Sequence, residues 1–124
     1  MLPSKEFAAR VFEKHIFICA FNLIGTVHSC TIGECEAEHG EQTRALISEL
    51  KDCAANTFQV QFEDGVEDRC CAYARSVAHY PTAIKEFKHR NGFFWELSLK
   101  ARLAQSPDPT PMHTQLLKDV GAVE

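Results

Sequence analysis

The apolar residues recur at helical spacing along nearly the whole chain. Phe7, Val11, Phe12, Ile16, Cys19, Phe21 and Leu23 include mixed three-and-four spacings, the period of an amphipathic helix. From Ile16 onward the apolar band widens, which predicts a first helix buried on most sides. Ser4 is its expected N-cap, and it should end near Gly25 or shortly after. His28 to Gly40 (HSCTIGECEAEHG) reads as a turn-rich link with two glycines. A second helix is predicted from about Glu41 to Thr57, with Ala45, Leu46, Leu50, Cys53 and Ala54 on its apolar face. Phe58 to Phe62 alternates apolar and polar residues, a weak strand signal without a partner strand. A third helix is predicted from about Glu63 to His79, carrying Val66, Cys70, Tyr73, Ala74 and Val77 on one side.

Pro81 ends that pattern, because the residue before proline is pushed out of the helical region. Ala83 to Lys88 is expected to restart a helical turn. Asn91-Gly92 is read as a close-packing point inside or at the start of a helix that includes Phe93, Phe94, Leu97, Leu99 and Leu103. Ser106 to Pro111 (SPDPTP) is a stiff, extended linker. A short last helix, Met112 to Val120, closes on Gly121. The reading is an all-α helical bundle in a single domain, with no internal repeat.

Composition narrows the function. The chain has 124 residues, enough for one core. Thirteen Lys and Arg stand against seventeen Asp and Glu, a net charge of −4, which argues against a nucleic-acid binder that works by counterion release. The run Ile16 to Val27 is too short to span a bilayer, and the first ten residues show no signal-peptide core. A soluble, cytoplasmic protein is expected, without a nucleic-acid or membrane partner. Its six cysteines, at 19, 30, 35, 53, 70 and 71, are then expected to be free thiols. The six glycines, at 25, 33, 40, 65, 92 and 121, include no GxGxxG fingerprint and no P-loop, so the chain cannot build the usual dinucleotide site.

Three groups of residues could carry chemistry. His28, Cys30, Cys35 and His39 offer two imidazoles and two thiols within twelve residues, a loose match to a structural zinc site. Lys14, Ile18 and Asn22 lie four apart on the first helix and share a face. A lysine and an asparagine on the most apolar helix both need partners if buried, and the bland reading has Lys14 reaching solvent and Asn22 bonding a neighbouring helix. The segment Ala74 to Trp95 sets Ser76, His79, Thr82, Glu86, Arg90 and Asn91 among apolar anchors. Glu86 and Arg90, at i and i+4, make an ordinary helix-surface pair in the bland reading.

At these residues the chain resembles the C-terminal helical domain of the ketopantoate reductase (2-dehydropantoate 2-reductase) family, over about Val11 to Val120. That family opens this domain with an aromatic residue, one variable residue and its catalytic lysine, matched by Phe12-Glu13-Lys14. An asparagine eight residues on matches Asn22, and a Gly-Glu pair after the helix matches Gly33-Glu34. Ser76, Pro81-Thr82, Glu86 and Asn91-Gly92 follow the family's later order, and its PTP motif matches Pro109-Thr110-Pro111. Ile18 and Ile32 replace polar residues of the family pattern.

The resemblance implies reduction of an α-keto acid with NADPH as hydride donor. Lys14 and Glu86 would be catalytic, the lysine protonating the carbonyl oxygen and the carboxylate binding the substrate hydroxyl while keeping Lys14 charged. Asn22 and Ser76 would bind substrate, Ser76 near its carboxylate. The family's N-terminal cofactor domain has no counterpart here, so the expectation is a fragment, inactive alone, that binds no cofactor itself. The alternatives are a helical interaction module, forming a homo-oligomer or docking on a separate cofactor-domain partner, and a zinc-stabilised helical domain.

Overall fold

The computed structural model describes residues 5–84 and 86–123, the side chains of residues 5 and 6 excepted. It contains six α-helices: α1 (Lys5–His28), α2 (Ile32–Ala37), α3 (Gly40–Phe58), α4 (Val66–Ser76), α5 (Asn91–Leu103) and α6 (Pro111–Asp119), with a 3-10 turn at Phe87–His89 before α5. No strand occurs among the described residues: Phe58 is the last residue of α3, and residues 59–62 carry no regular secondary structure. The predicted Ser4 cap lies outside the described residues.

α1 is the axis of the bundle because its apolar band is too wide for a surface helix. Ile16, Cys19, Ala20, Phe21, Leu23 and Ile24 are all fully buried, and α1 packs against α2, α3, α4 and α6. Each such large side chain stabilises the fold by roughly 1.5–3 kcal/mol relative to exposure. α3 supplies Leu46, Ile47 and Leu50, α4 Val66 and Cys71, α5 Phe94, and α6 Leu117 to the same core. Among the described residues no helix is long and apolar enough to cross a membrane.

The ends of the helices follow local chemistry. The link after α1 is not all turn: Thr31 and Glu34 form a capping box, each side chain accepting from the other residue's backbone N–H, and this starts α2. α3 stops where Gln59 enters the left-handed region at φ 56°. Gly65, at φ 92°, makes the turn into α4. α6 closes as expected: Gly121 takes φ 75°, and the amides of Gly121 and Ala122 donate back to the carbonyls of Lys118 and Leu117.

Two expectations need correction. The third helix is shorter than predicted, beginning at Val66 and ending at Ser76. Ala83 and Ile84 are not helical, position 85 lies outside the described residues, and Glu86 adopts the left-handed conformation, so the helical turn begins only at Phe87.

Candidate functional site

Lys14 lies on the face of α1 that meets α4. It lines a groove of about 510 Å³ with Arg10, Phe17, Ile18, Cys70 and Tyr73. The Arg69 guanidinium crosses from α4 to the Glu13 carboxylate at 2.8 Å and closes one side. It also donates to the carbonyls of Glu63 and Asp64, which ties the turn before α4 to α1. Lys14 is exposed, as the bland reading of this residue has it, and makes no hydrogen bond or ion pair with another described residue. Its ammonium therefore remains available to an anion.

The next face of α1 carries segment 77–84. Asn22 Nδ2 donates to the Ile18 carbonyl at 2.8 Å, and its Oδ1 accepts from the Ala83 N–H at 3.2 Å. Both ends of the amide are thereby satisfied, one within the helix and one across to the segment. The approach is close because α1 presents Gly25 there: a Cβ on that residue would stand 2.2 Å from Thr82 Oγ1. Thr82 Oγ1 donates to the Cys30 carbonyl at 2.6 Å. The amides of Ile32 and Gly33 donate to the carbonyls of Tyr80 and Ala78. Segment 77–84 is thus laced to the α1–α2 junction, and a second cavity of about 480 Å³ lies between them.

Glu86 follows on this path. Its backbone sits at φ 48° and ψ 47°, a conformation that residues other than glycine adopt at a cost. The carboxylate is exposed and pairs with Arg90 at 3.1 Å. Arg90 approaches α1 near His15 and Cys19. His15 packs edge-on against Phe93, with ring centroids 5.3 Å apart. Its buried Nε2 has no partner among the described residues, and burial, aided by the Arg90 charge, lowers its pKa.

The structure therefore brings Asn22 against the segment that leads into Glu86. Lys14 and Glu86 share no hydrogen bond or ion pair, and Glu86 does not line the Lys14 groove. Ser76 stands apart from these three, exposed at the end of α4, its hydroxyl donating to the Tyr73 carbonyl at 2.6 Å.

The loop cluster of histidines and cysteines does not converge as a tetrahedral site would. The rings of His28 and His39 stack at 3.6 Å, and His28 Nε2 meets Gln42 Oε1 at 2.6 Å. Cys30 and Cys35 form a separate pair. Among the described residues no group of three or more His, Cys, Asp or Glu is placed to hold a metal ion, which corrects the zinc reading. All six cysteines are free thiols.

A polar cluster that the sequence did not signal lies between α5 and α6. Asp108 accepts from Ser98, Thr110 and Thr114, contacts that hold its carboxyl below the usual range against the effect of burial. His113 Nε2 meets Asn91 Oδ1 at 2.9 Å in full burial. The Glu49 carboxylate, from α3, accepts the Met112 and His113 amides at 2.9 and 2.8 Å. Every one of these contacts organises the fold.

Compared with protein-family models, with curated proteins and with solved structures, the chain finds no match. What the coordinates define is an all-α bundle of six α-helices among the described residues.

Proposed function

We propose that this chain is the helical, substrate-side part of an NADPH-dependent α-keto acid reductase of the ketopantoate reductase type. The observation that carries the reading is the Asn22–Ala83 bond. It holds segment 77–84, which precedes Glu86 in the sequence, against the helix that bears Lys14. The left-handed backbone of Glu86 adds support, since local strain of this kind collects at functional sites.

In this reading the Lys14 ammonium holds the proton for the carbonyl oxygen that gains charge. Glu86 exchanges Arg90 for the substrate hydroxyl and for Lys14, whose charged form it favours. Asn22 acts through the segment that it positions. Ser76 belongs to the proposal by resemblance alone. The sequence contains no Gly-rich phosphate loop of the kind that holds a dinucleotide. The reading assigns the cofactor to a separate unit.

Titration of isotope-labelled chain with 2-dehydropantoate, followed by amide chemical shifts, tests this. Shifts should gather at Lys14, Asn22, Ala83 and Glu86 at millimolar ligand, and binding should weaken roughly tenfold or more in Lys14→Ala, through loss of the roughly 1.5–3 kcal/mol that a hydrogen bond to a charged group contributes. Absence of shifts at these four residues would overturn the reading.

A second reading, an interaction module, is favoured by a different observation. Phe58 stacks on both Phe12 and Phe93, with the Phe12 and Phe58 centroids 5.4 Å apart. Phe58 and the adjoining Val11 are exposed. An apolar face of this kind suits burial against another polypeptide.

A further inference from the structure

We propose that Cys30 and Cys35 are a thiol modification site, which a low-molecular-weight disulfide such as oxidised glutathione converts to an intramolecular disulfide. Their sulfurs stand 3.9 Å apart with both thiols free. A disulfide needs about 2.05 Å between sulfurs, so closure requires one side chain to turn by about 2 Å. Cys35 is fully buried in α2, and its Sγ lies 3.4 Å from the Phe21 carbonyl. Cys30 sits two residues beyond the end of α1, outside any helix and partly exposed, so its side chain is less confined than that of Cys35. One sulfur is fixed and the other can swing to meet it.

Access comes from the same asymmetry. Cys30 is partly exposed and lines the cavity beneath Pro81 to Ile84. The other cysteines lack this combination. Cys19, Cys53, Cys70 and Cys71 are buried, and no second thiol–thiol hydrogen bond occurs among the described residues.

The chemistry is two exchange steps. The Cys30 thiolate attacks one sulfur of glutathione disulfide, the glutathione S–S bond breaks, and one glutathione leaves and takes up the Cys30 proton. The Cys35 thiolate then attacks Cys30 Sγ in the mixed disulfide and expels the second glutathione, which takes up the Cys35 proton. Two protein thiols are oxidised and one small disulfide is reduced to two thiols. Burial, reinforced by neighbouring Glu34, keeps both thiols protonated at neutral pH. The reaction is accordingly slow near neutrality and quickens as pH rises. Because Thr82 bonds the Cys30 carbonyl, the bridge would stiffen the junction on which segment 77–84 rests. The site stands independently of the proposed function.

The test equilibrates the full native chain with reduced and oxidised glutathione at a pH of about 8, followed by acid quenching, alkylation and peptide mapping by mass spectrometry. The expected product has lost two hydrogens and links Cys30 to Cys35. Cys35→Ser should stop at glutathione on Cys30. The same treatment in denaturant should scatter the bridges among all six cysteines, which shows that the native pairing comes from the fold. A wild-type chain that keeps both thiols, stops at glutathione on Cys30 or links other cysteines would overturn the proposal. The wild-type map needs no variant to fold.

Discussion

Gly25 shows what a single absent side chain permits. A Cβ there would fall between 2.2 and 2.4 Å from three Thr82 atoms, one of them the Thr82 Cβ, which its own backbone fixes. Gly25→Ala gains up to about 1 kcal/mol of helix propensity but must push segment 77–84 away, at roughly 1–3 kcal/mol. The clash wins, so urea denaturation should show a net loss, and the double variant with Thr82→Gly, which relieves the clash but also loses the Thr82–Cys30 bond, should lose less than the two single variants added together. His113 supplies a second test. Burial lowers its pKa to about 4, so between that value and the ordinary 6.5 the unfolded chain binds the proton and the folded chain does not. Stability is complete above pH 6.5 and falls as pH drops toward 4, by roughly 3 kcal/mol in total. Denaturant titrations across this range should show the slope, and His113→Leu should remove its largest part.

At the scale of elements, α6 depends on a residue far away in sequence. Thr110 makes no side-chain cap; Glu49 of α3 caps the helix instead, through the Met112 and His113 amides. Glu49→Ala should cost about 1–2 kcal/mol and speed amide exchange in α6 more than in α3. Glu49→Gln, which keeps one acceptor, should cost less. A cap from another helix leaves no trace in local sequence, so Pro111 and Gly121 marked where α6 lies but not what holds its start. α2 is the opposite case. Thr31-Ile32-Gly33-Glu34 spells a capping box, yet two glycines and a run of carboxylates made the link look like turn. The short reach of α4 also escaped local reading, because Gly65 alone sets where its backbone can enter the helix.

For the whole molecule, the helix periods and the width of the α1 band made the all-α bundle legible, since burial follows directly from apolar spacing. The candidate site was legible only in part. Asn22 was marked by being polar on an apolar helix, but its partner across space is the Ala83 amide of a non-helical segment, not a neighbouring helix. Which residues face each other across space depends on the path of segment 77–84, and backbone bonds from Ala78 and Tyr80 to α2 set that path without any side-chain signature. The aromatic face at Val11, Phe12, Phe58 and Phe93 makes a prediction at this scale. If it closes on a second copy, sedimentation should show mass rising with concentration, and Val11→Glu should return the chain to a monomer without lowering its melting temperature.

The backbone between α5 and α6 has its own consequence. Residues 104–107 are exposed, whereas Asp108, Thr110 and α6 are tied down by Ser98, Glu49 and the core. A protease that nicks the chain at Gln105 would therefore cut a covalent link without freeing what lies beyond it. The two pieces should elute together from a sizing column, separate only in denaturant, and find each other again when the denaturant is removed.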